Sequence, residues 1–320
     1  MICNFKRIHN FFRILFKPNI NVLLLCSRRY RCTSIMSGPL PKISIQVSLF
    51  EDISIATDYD ALVWVAPDYN KAPNEALVSA VKAMVAVDKS VNTSGCVVPI
   101  SLPFKRLVYS PTGPLDRDYD DLRRFSEAAA SGVKRAMVAG SSRPLLFIQG
   151  QMPGKDETKC QLAGLLGGLS ALYVPLEMRE FDSKKAKKIE ELGWVGESSI
   201  ASEAILIEKG RIVARDIGGS DPERMAAPKV EEYVVEAFKD TKVTVEVLKG
   251  QDYFEREYPC LAAVNRCAST HSRHDGRVIW LTYEGEGTVK KTVYLVGKGI
   301  TYDTGGADIK AGGVMAGMSR

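Results

Sequence analysis

Pro144-Leu-Leu-Phe-Ile-Gln149 reads as a buried β-strand, and the chain on either side of it reads as helix, from Asp118 to Val138 and from Lys159 to Leu172. A short apolar run between two stretches of helical spacing is the pattern of a strand in an α/β sheet. The alternation continues outward. Ile43-Ser-Ile-Gln-Val-Ser-Leu49 alternates with period two, Ala61-Leu-Val-Trp-Val-Ala66 is an apolar run ended by Pro67-Asp68, and Ala76 to Val87 carries apolar residues at helical spacing. Cys96-Val-Val-Pro-Ile-Ser-Leu102 and Arg106-Leu-Val-Tyr109 read as a strand pair with Pro99 at an edge, since proline cannot donate to a ladder. Further along, the pattern predicts a charged helix over Ser183 to Leu192 and a long helix over Ser198 to Asp216, interrupted at Gly210. Asp221-Pro-Glu-Arg224 has the N-cap and first-turn proline of a new helix. Lys242 to Leu248, Val278 to Tyr283 and Thr292 to Val296 read as strands. Strands separated by helices imply mainly parallel sheets in both halves.

The expected organisation is therefore α/β. Residues 1–35 form a leader and 36–197 an N-terminal α/β domain with a mixed sheet; 198–216 is a connecting helix, and 217–320 form a second α/β region with a mainly parallel sheet, which the resemblance described below implies is the incomplete start of a catalytic domain. With 320 residues, 45% hydrophobic and 25% charged, the composition excludes a disordered chain, a coiled coil and a membrane bundle. The net charge of +5 invites a nucleic-acid reading, but its distribution does not support one. Residues 1–35 hold seven basic residues (Lys6, Arg7, Arg13, Lys17, Arg28, Arg29 and Arg31) and no acidic one, which leaves the remainder at −2. Lys184, Lys185, Lys187 and Lys188 have carboxylates close by and read as a solvated helix face. The acid-free, Arg-containing leader has the composition of a mitochondrial transit peptide; the alternative is that Met36 is the functional start and the protein is cytoplasmic, the outcome favoured here. The run Val22-Leu-Leu-Leu-Cys26 is far below the ~18 apolar residues of a membrane span.

Seven cysteines lie scattered with no CxxC, a pattern of reduced, buried thiols rather than a disulfide frame or a zinc ribbon. His271 and His274 sit in the turn-rich Ser269-Thr-His-Ser-Arg-His-Asp-Gly276, a surface loop in preference to a ligand pair. Gly164, Gly167 and Gly168 lack the spacing of a phosphate loop and read as a close helix-packing surface.

The segment that carries chemistry is Leu295-Val-Gly-Lys-Gly-Ile-Thr-Tyr-Asp-Thr-Gly-Gly-Ala-Asp-Ile-Lys310. A strand running into a loop with four glycines, two aspartates and two lysines places hard oxygen donors and cations where open α/β sheets bind ligands. On the residues alone this is a metal or anion site, against a Gly-rich hairpin with exposed charges. A Walker-type phosphate loop is excluded, because Gly297-Lys298 is followed by glycine.

Val296-Gly-Lys-Gly-Ile-Thr-Tyr-Asp-Thr-Gly-Gly306 with Asp308-Ile-Lys310 resembles the signature of the leucyl (cytosol) aminopeptidases, and Arg215-Asp216-Ile217 resembles a helix end of that family. The likeness is nearer to the branch of probable aminopeptidases than to the leucine-specific members, since Gly218-Gly-Ser-Asp-Pro-Glu-Arg224 departs from the usual segment. The resemblance implies a metal-dependent enzyme that releases N-terminal amino acids from peptides, using two divalent ions (zinc, manganese or magnesium), and a homo-oligomer, a hexamer, when complete. By position, Lys298 and Asp303 resemble metal ligands, Lys310 the catalytic lysine, and Met318 a residue lining the substrate pocket. Ala311-Gly-Gly-Val-Met-Ala-Gly-Met-Ser-Arg320 departs from the family pattern, and three further carboxylate ligands that the resemblance implies have no counterpart up to Arg320. The expectation is thus a C-terminally truncated aminopeptidase, or alternatively a non-catalytic α/β module or inactive isoform that acts by assembling with full-length subunits. Neither nucleic acid nor membrane is expected as a partner.

Overall fold

The computed structural model describes residues 42–45 and 58–300, which belong to two compact units divided between Ile212 and Val213. The first unit is built on a six-stranded sheet. Its strands are β1 (Lys42–Ile45), β2 (Ala61–Ala66), β3 (Cys96–Pro99), β4 (Arg106–Pro111), β5 (Pro144–Ile148) and β6 (Glu191–Val195), in the order β1-β6-β5-β2-β4-β3. Every neighbouring pair is parallel except β3–β4. The mixed sheet and the proline-marked edge are as the sequence predicts, because β3 is the outermost strand and Pro99 is its last residue.

Helices cover both faces: α1 (Glu75–Val87) and α2 (Val91–Ser94) on one, α3 (Arg123–Val138), α4 (Glu157–Ala171) and the start of α6 (Ser198–Gly219) on the other. The central strand β2 shows why. Leu62 and Trp64 pack with Leu77, Val81 and Val91; Val63 and Val65 pack with Phe125, Leu165 and Ile200. All six β2 residues are buried, so the strand is apolar throughout instead of alternating. Each such side chain contributes on the order of 1.5–3 kcal/mol through burial. Asn74 and Asp156 start α1 and α4 by accepting the backbone N–H of Ala76 and Lys159 at 2.9 and 2.8 Å.

The glycine row of α4 packs closely, as the sequence reading requires. A Cβ on Gly167 would stand 2.0 Å from the Ser126 carbonyl oxygen of α3, while Gly164 and Gly168 lie over Ile148 and Leu146 of β5. Only the absence of a side chain lets α3, α4 and the sheet approach this far.

Three predicted helices differ. Ser183 to Leu192 is not helical: α5 (Leu176–Phe181) precedes it, Ser183–Lys185 is one 3-10 turn, and Glu191–Val195 is β6 with all five residues buried. The charged residues mimic helical spacing, but Lys188 Nζ donates to the Ala171 carbonyl at 3.0 Å, and a Cβ on Gly193 would meet Leu145 and Tyr59 at 2.5 Å. Tertiary contact overrides the local pattern. α3 starts at Arg123, not Asp118, because Asp120 takes the Arg117 N–H and guanidinium into a turn. α6 is continuous through Gly210, where no neighbouring atom demands a break.

The second unit contains the end of α6, α7 (Ala227–Phe238), β7 (Val243–Leu248), α8 (Gln251–Glu257), α9 (Pro259–Ala268) and β8 (Val278–Tyr283). Asp221 does not open α7. Its carboxylate accepts the N–H groups of Glu223 and Arg224 (2.8 and 3.0 Å) to close a turn, and Pro228 stands in the first turn of the helix itself. β7 and β8 pair antiparallel, where parallel pairing was expected. A single crossover helix returns a strand parallel; two successive helices, α8 and α9, bring the chain back to the end it left. Thr292 to Val296, expected as a third strand, has no strand partner among the described residues.

Candidate functional site

Open parallel sheets hold ligands beyond the carboxyl ends of their strands. In the first unit the space beyond β2 and β5 is filled by protein. Trp64 Nε1 donates to Gln149 Oε1 at 3.1 Å, and Gln149 in turn donates to the Lys71 carbonyl. Tyr109 lies tilted against Trp64, with ring centroids 5.2 Å apart, and Tyr69 meets Tyr109 edge to face at 6.0 Å. Gly150, at φ +111°, lies so close to Pro67 that a Cβ would be 2.7 Å from its Cδ.

The chemistry-bearing segment belongs to the second unit. Its approach is held by a polar network that sequence reading did not find. Asn265 is 3% exposed; its Oδ1 accepts the Gly276 N–H at 2.7 Å and its Nδ2 donates to Gln251 Oε1 at 2.9 Å, fixing the α8–α9 hairpin to the entrance of β8. Arg277, beside it, bridges Glu231 of α7 and Asp275. Burial alone would lift the Glu231 carboxyl, but Arg277 and then Lys249 outweigh it and hold it below its ordinary value. Asp216, wholly buried at the end of α6, accepts the Tyr233 hydroxyl at 2.7 Å. The signal in the sequence was Asn265 on an otherwise apolar helix face, a position that calls for a partner.

Beyond β8 the chain runs irregularly to Ile300, with Leu295, Val296 and Ile300 exposed at 57%, 61% and 63%. Lys298 lies here, exposed. Asp303, Lys310 and Met318 lie outside the described residues, so Lys298 is the one predicted site residue the structure places. Among the described residues no group of three His, Cys, Asp or Glu is arranged to hold a metal ion. His271 and His274 are 6.3 Å apart between ring centroids and turned edge to face. His274 Nε2 accepts from Arg273, while His271 shares a hydrogen bond with Thr270, as surface-loop residues do. Cys96, Cys160, Cys260 and Cys267 are free thiols; Cys160 is buried as expected, but Cys260 and Cys267 are exposed on α9. Burial pushes the Cys96 thiol up to about 11, so it is protonated and unreactive at neutral pH.

Residues 212–320 match the model of the catalytic domain of the cytosol aminopeptidase family. A Caenorhabditis elegans protein named as an aminopeptidase is 39% identical over 244 residues, which is 74% of this chain and 44% of that protein. The chain belongs to the cytosol aminopeptidase family. A cytosol aminopeptidase relative from Nostoc punctiforme is 28% identical over 217 residues, 66% of this chain and 42% of its own length. The chain thus spans less than half the length of these family members. The apo structure of leucyl aminopeptidase from Trypanosoma cruzi superimposes with a TM-score of 0.61 over 88% of this chain and 57% of its own, at 15% identity. That likeness shows the α/β fold of the family. Within the family frame, the segment read from the sequence as a metal or anion site lies inside the matched 212–320 region.

Proposed function

We propose that the protein is a metal-dependent aminopeptidase that releases N-terminal amino acids from peptides. The observation that carries this reading is the segment from Val296 to Lys310, with its glycines, lysines and aspartates in the family's signature spacing, inside the region matched by the family's catalytic domain. Lys298 and Asp303 would hold divalent metal, zinc with manganese or magnesium, in a two-ion site completed by further carboxylates. Bound divalent ions supply a nucleophilic water and polarisation of the scissile carbonyl. Lys298 serves as ligand through a neutral amine, and Asp303 supplies countercharge. Lys310 keeps its proton and donates to the carbonyl oxygen as negative charge develops there. Met318 lies against the side chain of the residue being released. The complete subunits assemble as a homo-oligomer, read here as a hexamer, and act in the cytoplasm. A fluorescent fusion of residues 1–35 that enters mitochondria would move that assignment.

The test separates the two lysines in a chain extended through the whole catalytic domain. Lys298→Ala is expected to lose metal, measured by elemental analysis, and to regain part of its activity at high metal concentration. Lys310→Ala is expected to keep its metal and lose kcat by about 10²–10³-fold, as for a lost oxyanion donor. The opposite distribution of metal content overturns the assigned roles.

A further inference from the structure

Beyond β8 the second unit leaves regular structure, and the described part of that stretch is exposed in a way that points to a partner. Residues 289–300 contain no helix, ladder, turn or bend, so the chain there is extended. In extended backbone successive side chains point to opposite sides. Tyr294 is nevertheless 45% exposed, and Leu295 and Val296 are more so. Three consecutive apolar residues open to solvent mean that neither side of the chain is covered. The backbone of residues 292–296 has no ladder partner among the described residues either.

The charge of this stretch is one-sided. Lys290 and Lys291 precede the apolar core of residues 292–296, Lys298 follows it, and no acidic residue lies between Glu286 and Asp303. Glu286 is taken by Lys242 at 2.8 Å. The three bracketing lysines are exposed and form no ion pair among the described residues. Thr292, Val293 and Tyr294 are residue types that favour a pleated, strand-like backbone.

We propose that residues 290–298 are bound as an extended peptide by a chaperone whose cleft encloses a single chain, with an apolar interior for residues 292–296 and acidic groups at its two mouths for the lysines. Those are the properties of the ATP-driven heat-shock chaperones that hold extended segments. In strand-like recognition the main chain supplies hydrogen bonds and pockets select the side chains, while opposite charge at the rim speeds encounter. The cleft must enclose the chain, because its apolar side chains open on both sides. An anionic membrane shares the attraction for lysine, but a flat surface would leave every second apolar side chain in water. The inference does not depend on the metal site, since the contact is centred on Tyr294 and Leu295.

The test uses the folded 320-residue chain and a purified heat-shock chaperone of this class in its ADP state. Binding is read as displacement of a fluorescein-labelled peptide of residues 288–300 from the chaperone. Displacement is expected, with release on adding ATP. Tyr294→Ser with Leu295→Ser should weaken it at least about ten-fold, as for loss of buried anchors. Lys290→Glu with Lys291→Glu should weaken it most at low salt, and Lys290→Arg with Lys291→Arg should leave it unchanged. Hydrogen exchange locates the contact: on binding, protection should appear at residues 289–298 and nowhere in the six-stranded sheet. A peptide that the chaperone does not bind, a parent chain that does not displace it, a Tyr294/Leu295 variant that displaces it equally, or protection elsewhere overturns the proposal. So does Leu295-dependent sedimentation with phosphatidylserine vesicles by a chain that does not displace the peptide.

Discussion

Single polar groups decide more here than their number suggests. Asn265 satisfies the half-buried Gly276 amide from inside the second unit, and Asn265→Leu would keep the branched shape while leaving that N–H without its partner. The expected cost is ~1–3 kcal/mol, read as a lower urea midpoint. Asp60 plays a similar part at the start of β2, where it accepts from Ser141 and Ser142 and from the backbone of Ser142 and Arg143. Burial pushes its carboxyl upward, but those donors, together with Arg106, hold it below the ordinary value. Its folded pKa is the lower of the two, so its stabilisation is full above the unfolded value of about 3.9 and is lost as pH falls through the folded one. Asp60→Asn should flatten the acid limb of the stability curve below about pH 4, followed by circular dichroism. The role of Asp60 was not legible in the sequence, because a hydrogen bond to a residue eighty positions away leaves no local mark, whereas Asn265 left only the mark of a polar residue on an apolar helix face.

At the scale of elements, most strands and helices were legible because one face or both faces bury apolar side chains with the right period. β2, β5, α1 and α4 show it plainly. β6 was missed because lysines and glutamates at helical spacing lead into it, and because Gly193 and Glu191 weaken its strand pattern. Glu191 is nevertheless buried, held by Arg143 at 2.8 Å. The glycines of α4 were read correctly, since three within five residues of a helix carry a propensity cost that only packing offsets. Gly167→Ala is the sharpest test: raised intrinsic helix propensity is outweighed by collision with the Ser126 carbonyl, and a net loss of ~1–3 kcal/mol is expected in chemical unfolding. The same change at Gly210, with open space around it, should leave stability unchanged or improve it by up to about 1 kcal/mol.

Across the whole molecule, the candidate site was more legible in sequence than in space. The signature from Val296 to Lys310 names its chemistry from residue types and spacing, whereas the structure places Lys298 and the α8–α9–β8 frame leading to it. The 320-residue chain alone, assayed with added zinc or manganese on a leucyl amide, is expected to be inactive, and a chain extended with further carboxylate ligands active and chelator-sensitive. Robust turnover by the shorter chain would reverse the ligand assignment. The sheet of the first unit has one more consequence, and it concerns the order of events during synthesis. Ser44 in β1 bonds to Glu191 in β6 across 147 positions, and β6 also covers the outer edge of β5. A ribosome that has released residues only as far as β5 therefore presents a nascent chain with a bare apolar strand edge and an unpaired amino-terminal strand. Closing a loop of that length is slow and entropically costly. Until Val195 emerges, the polypeptide is a substrate for chaperones and proteases, and its vulnerability should fall abruptly once that residue clears the exit tunnel.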